Sequence, residues 1–245
     1  MKKIRETFNL SLLFALLLTF VGGFLELYSL KVHGVFAGMQ TGNLITMFTA
    51  LVDGKTTRAL FRLAVIGVFF LGCFLSEMIR LFLKKRKRRW EPVILVGEIV
   101  FLLPLFFLPA KGRDIIAEMA EPTGIDIVAD IFLALFSSFQ YASFRTVNGT
   151  SYASTMMTNL LTSIAKDLAL LSSKKDEDAA LRLLEHGLIL VFFIAGFLVF
   201  YLSLLFLNGG SDLSLRLILF IPIIILVFLF VLSFSLAKKE EKTRL

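Results

Sequence analysis

The chain has 245 residues, 57% of them hydrophobic and 27 of them Phe, with a mean hydropathy of +0.84. A soluble core of this length could not bury so much apolar side chain, whereas lipid solvates it, so the sequence reads as a polytopic integral membrane protein. The net charge of +7 flanks apolar runs, which fits membrane topology and argues against a nucleic-acid partner. A single Cys (Cys73) and two distant His (His33 and His186) exclude an intramolecular disulfide. They also leave no basis for a metal or haem site, and no cofactor is expected.

In chain order, MKKIRETFNLSLLFALLLTFVGGF is basic and then apolar. The run continues to Leu30 with no A-x-A site behind it, so a first transmembrane helix is expected rather than a signal peptide. Windows of about 20 apolar residues mark spans at 10–30, 60–83, 93–110, 126–144, 186–207 and 215–237. Two further windows, 35–52 and 150–171, are long enough to cross yet rich in Gly, Ser, Thr and Asn. They hold two related strings, FAGMQTGNLITM (36–47) and ASTMMTNLLTSI (153–164), with Thr41 and Thr158 separated by 117 residues.

Charge arbitrates between two topologies. The run Lys84-Lys85-Arg86-Lys87-Arg88-Arg89 before Trp90 is the strongest cytoplasmic anchor, MKKIR and KKEEKTR also suit the cytoplasm, and the acidic 111–126 loop suits the outside. Eight spans would place 16 Lys and Arg inside and 10 outside, with the 84–89 run outside; six spans give 19 against 7 and put that run inside. The expected fold is therefore an all-α polytopic membrane protein with six transmembrane helices plus two re-entrant or broken polar helices, eight spanning helices being the alternative. Residues 1–245 form a single membrane domain in this reading. Its first repeat is 1–110 and its second 125–237, related by inversion as in many transporters, with 84–91 as the basic cytoplasmic loop.

Candidate solute contacts come from the polar strings 39–46 and 155–163. Gln40, Thr41, Gly42 and Asn43 combine hydroxyl and amide groups with a flexible joint, and a Gly before a helix leaves N–H groups that attract anions. Thr158 and Asn159 repeat part of this without the Gly. Close helix packing by small and amide residues is the competing role. An ionisable group inside a span is expensive, which singles out Glu26 and Glu98 for proton coupling or substrate contact. Glu77 with Arg80 has the spacing of an ion pair. Asp130 is expected to reach the interface, Lys166 and Asp167 to emerge there, and 172–187 to be a solvated connector. Gln140 and Arg145 lead into the second string; Arg145 is either a snorkelling anchor or an anion contact. Nucleotide-binding and hydrolase motifs are absent, so no enzyme is expected.

At GGFLELYSL, GVFAGMQTGNL and the group Gln140-Tyr141-Ala142, Arg145 and Thr155–Thr158, the chain resembles the YoaK family, uncharacterised bacterial integral membrane proteins of about this length. Glu26 stands where that family more often has Asp, Tyr141 replaces Asn, and Asn159 replaces Gly. The resemblance implies a bacterial inner or plasma membrane location and a permease label, without a substrate. Two functions remain open. One is a secondary transporter or channel for a small solute, with the strings lining a midplane site and both termini cytoplasmic. The other is a structural or regulatory membrane protein in which the strings only pack helices. The expected partners are the bilayer, anionic lipid at Lys84–Arg89 and an unidentified small solute; a homo-oligomer is compatible with either function.

Overall fold

The computed structural model describes residues 10–110, 123–147, 150–151, 157–173, 178–207 and 211–244. Residues 1–9, most of the acidic 111–126 loop and Thr155 lie outside the described residues. The helices are α1 (Leu10–His33), α2 (Gln40–Val52), α3 (Thr56–Lys85), α4 (Glu91–Leu102), α5 (Gly124–Ser143), α6 (Met157–Ser172), α7 (Ala179–Phe206), α8 (Asp212–Leu217) and α9 (Phe220–Arg244). A 3-10 turn, Leu103–Phe106, extends α4, and a two-residue antiparallel pair, Thr146–Val147 with Thr150–Ser151, lies between α5 and α6. Among the described residues, five units are long and apolar enough to cross a membrane: α1, α3, α5, α7 and α8–α9 taken together.

The expected span at 93–110 differs most. Its helix stops at Leu102, and Pro104 lies inside the 3-10 turn that follows. Proline has no N–H to extend the α ladder and clashes with the preceding turn. The connector expected over 172–187 is also shorter, because α7 already begins at Ala179.

Inter-helix contacts fix the directions. His33 at the end of α1 meets Asp126 at the start of α5, while Gln140 near the end of α5 donates to the Leu18 carbonyl. Those two helices cross antiparallel. α3 runs parallel to α5, with Val65 clustered with Ala134 and Ser76 bonded to Ser143. α7 runs parallel to α1 in the same way, Ile189 packing with Leu12 and Leu16 and Phe200 with Phe24 and Tyr28. α4 runs against α5 through Trp90–Phe144 and Phe101–Phe139. It also runs against α9, through Arg89 on the Ser233 carbonyl and Phe106 on Phe220.

Small residues permit the two closest approaches. A Cβ at Gly196 would overlap the Phe20 carbonyl oxygen of α1, and one at Gly23 would overlap the Phe193 carbonyl oxygen of α7. On the other side, a Cβ at Gly72 of α3 would overlap the Ser138 hydroxyl of α5. Small residues let membrane helices approach until their backbones touch, where dispersion and weak polar contacts replace the missing hydrophobic drive.

The core between α1, α4, α5 and α9 holds Phe24, Tyr28, Leu95, Leu133, Phe136 and Leu229, all nearly or fully buried. The outward faces are apolar as well: Phe70, Phe74, Leu198, Phe206 and Ile224 are among many exposed side chains. An exposed apolar surface of that extent needs lipid against it.

Candidate functional site: a polar elbow against the first helix

Segment 34–55 leaves and returns to the same end of the bundle. The Gly34 carbonyl, just past α1, accepts from Arg62 Nη2 at 2.5 Å, in the second turn of α3. The chain turns at Gly34, whose φ of 73° is a left-handed value that disfavours other residues. It then folds back along α1 as far as Glu26 before α2 begins. α2 runs against α3, Asn43 meeting Arg62 and Met47 and Ala50 meeting Ala59. Its 13 residues reach only about 20 Å, short of a hydrocarbon core of roughly 30 Å.

Glu26 organises this elbow. Its carboxylate accepts from the backbone N–H groups of Gly38 at 2.8 Å and Met39 at 3.2 Å, directly ahead of α2. The helix dipole and the orphan N–H groups of a first turn favour an anion at that place. The chain's own carboxyl group, two turns back on α1, thus occupies the donors of Gly38 and Met39 that precede the Gly42-containing string. Three residues further along α1, the Ser29 hydroxyl accepts from Ala37 N–H at 3.2 Å.

Asn43 closes the other wall and is fully buried. Its Nδ2 donates to the Phe36 carbonyl at 2.8 Å and to Gln40 Oε1 at 3.0 Å, and its Oδ1 accepts from Phe36 N–H and from Arg62 Nη1, each at 3.3 Å. Gln40 donates in turn to the Ala37 carbonyl at 3.0 Å. Gly42 sits under the Phe36 ring, which lies 2.7 Å from where a Cβ would stand. Thr41 is exposed. Four of the sequence-predicted residues, Glu26, Gln40, Gly42 and Asn43, thus form one structure, with Arg62 added.

The other candidates lie apart from it. Glu98 is fully buried on α4, and neither carboxylate oxygen has a hydrogen-bond partner among the described residues. Gln140 is fully buried and donates to the Leu18 carbonyl at 2.5 Å. Thr158 and Asn159 are exposed, and the Thr158 carbonyl accepts from Thr162 within its own helix. Arg145 is exposed too, its Nε on the Tyr141 carbonyl at 3.3 Å and its guanidinium 5.2 Å from the Tyr141 ring centre.

Several polar groups stand deeper than the sequence suggests. Asp130 is fully buried rather than interfacial. Asp167 is buried as well, accepting from His186 Nδ1 at 2.7 Å and from Arg182 Nε at 3.2 Å, while Lys166 alone emerges. α7 starts early enough to carry Arg182 and His186 one turn apart on the face that meets α6. The signal is present in the chain, because Arg58/Arg62 and Arg182/His186 each have the i, i+4 spacing of one helix face. Asp167→Asn should lower thermal stability by about 1–3 kcal/mol through loss of a charge-assisted buried acceptor, read from unfolding midpoints in detergent. An unchanged midpoint would mean that the pair does not hold α6 to α7.

A family model described as "Protein of unknown function (DUF1275)" matches residues 14–232. The chain belongs to the DUF1275 family. No curated protein and no solved structure matches this DUF1275 chain. The matched range contains the whole elbow and both close helix contacts. It also contains Glu98, Gln140 and the Asp167 cluster.

Proposed function

We propose that this DUF1275 protein is a secondary transporter or channel for a small solute in the bacterial plasma membrane. In this reading α1, α3, α5, α7 and α8–α9 cross, α4 crosses only together with its 3-10 extension to Phe106 (about 26 Å in all), and segments 35–52 and 150–171 re-enter from opposite faces. The two halves are inverted copies, and both termini and the Lys84–Arg89 run are cytoplasmic. The YoaK resemblance and its permease label belong with this proposal.

The observation that carries it is the elbow itself. Irregular backbone at helix depth is tolerated only where protein buries it or a wet path needs it. Here it places Glu26, Gln40, Asn43 and Arg62 between α1, α2 and α3. Support for inversion comes from paired contacts. α1 and α5 are antiparallel, yet α7 lies along α1 as α3 lies along α5. Gly196 and Gly72 mark the close approach in each pair. Ten residues before Gly72 stands Arg62, and ten before Gly196 stands His186; fourteen before each stand Arg58 and Arg182. Arg62 meets α2 through Asn43, and Arg182 and His186 meet α6 through Asp167. Inverted repeats that meet around discontinuous helices are a recurrent carrier plan.

Solute contact is assigned to the first string alone. Thr158 and Asn159 are exposed, so neither solute contact nor helix packing is assigned to them. Glu26 is the group that would exchange with an anionic solute at the start of α2, and Glu98 is the buried carboxyl available to carry a proton.

Vesicle swelling tests the proposal across whole classes of solute at once. Liposomes holding the purified chain should swell faster than protein-free liposomes in at least one class of small neutral or anionic solute. Asn43→Ala should slow that entry about tenfold, the equivalent of about 1.4 kcal/mol. If no class enters faster than in protein-free liposomes, the transport reading fails.

A further inference from the structure

At the end of the bundle that carries the basic run there is a second, unrelated site. A cavity of about 550 Å³ opens between the last turns of α3, Trp90 and the end of α5. Arg80, Lys84 and Arg145 line it against a single carboxylate, Glu77. We propose that this cavity binds a phosphate group at the membrane interface.

Two of the three cations, Arg80 and Arg145, are held in place before any ligand arrives. Glu77 grips Arg80 through Nε at 2.7 Å and Nη2 at 2.6 Å, which leaves Arg80's remaining donors for another acceptor. Arg145 is braced by the Tyr141 carbonyl and ring. All three cations and Glu77 line the same cavity, so it carries an excess of two positive charges. Held guanidinium forks suit phosphate oxygens, and Lys adds a point charge. Trp90 is fixed by a tilted ring contact with Phe144 at 5.4 Å, and Phe144 in turn packs on Phe14 at 5.4 Å. An indole beside the cations at interface depth marks the level where lipid phosphates lie. The site stands whether or not the chain moves a solute.

Two sources could supply the phosphate: an anionic phospholipid headgroup or a free anion. The chain contains its own reporters, because its only Trp and its only Cys, Trp90 and Cys73, both line this cavity. In vesicles, phosphatidylglycerol with brominated acyl chains should quench Trp90 more than brominated phosphatidylcholine at the same mole fraction. In detergent, inorganic phosphate should slow maleimide modification of Cys73. A response in the first arm alone assigns the lipid, and a response in the second alone assigns the free anion.

In either arm the Lys84→Gln/Arg145→Gln double variant should weaken binding by about fivefold per cation removed. Glu77→Gln should strengthen binding, because it removes the one opposing charge. Damage to the fold does not produce that gain. Equal quenching by both lipids together with no protection of Cys73 would overturn the proposal. So would unchanged affinity in the double variant, or weaker binding in Glu77→Gln.

Discussion

Glu26→Ala is expected to unfold the elbow. The side chain is 3% exposed, and its carboxylate is the acceptor for Gly38 N–H and Met39 N–H. Truncation leaves both donors buried without a partner, at about 1–3 kcal/mol each. The summed loss should be about 2–6 kcal/mol, seen as a lower unfolding midpoint in detergent. Glu26→Gln keeps one acceptor oxygen and the same shape, so its loss should be nearer to about 1 kcal/mol. If the alanine variant unfolds at the wild-type midpoint, Glu26 does not hold the start of α2.

The other large effect should come from Gly196→Val. The new side chain would have to occupy the space of the Phe20 carbonyl and the Phe24 amide nitrogen. Both are backbone atoms and cannot rotate away. α1 and α7 must separate along their whole contact, which carries Leu12, Ile189, Phe24 and Phe200. Overpacking of this kind costs about 3 kcal/mol, and more where two helices shift together. Gly67 on α3 is the control, since a Cβ there meets nothing within 4 Å. Gly67→Ala should be neutral or gain about 0.5–1 kcal/mol from helix propensity. Equal midpoints for Gly196→Val and wild type would contradict the packing described for α1 and α7.

Much of the architecture is legible in the residue pattern, because lipid-facing helices are apolar all round and their lengths follow the bilayer. α1, α3, α5, α7 and α8–α9 fall on five of the six expected windows. In the 93–110 window the α-helix gives way to a 3-10 turn at Pro104, a backbone effect to which hydropathy is blind. The first polar string lies in the elbow, but the contacts that hold it are not written in the motif. Its donors are real, but Glu26, thirteen residues before Met39 in sequence, folds back onto them, and a linear motif carries no record of that return. Thr158 and Asn159 resemble Thr41 and Asn43 in composition, yet face outward on α6, since a tripeptide does not fix which side of a helix meets its neighbour. Asp167 looks interfacial in sequence because Lys166 stands beside it. Adjacent helix residues point in directions about 100° apart, so one emerges while the other pairs with His186. Arg62 lies just inside the expected window at 60–83, and nothing beside it in sequence points to Asn43. Its role depends on α3 beginning at Thr56, ahead of the expected window at 60–83.

The measurement that bears most directly on the re-entrant elbow is labelling of single cysteines in intact cells. In a Cys73→Ser background, Lys31→Cys lies before the elbow and Lys55→Cys lies after it; Lys55 is preferred to its neighbour Gly54, whose φ of 72° would strain a Cys. Lys85→Cys, at the far end of α3, is the reference for the opposite face. The re-entrant arrangement predicts that a membrane-impermeant maleimide labels positions 31 and 55 from outside and leaves position 85 untouched until the cells are opened. Labelling of only one of positions 31 and 55 would mean that 35–52 crosses the membrane, and the inverted arrangement built on its return would be wrong.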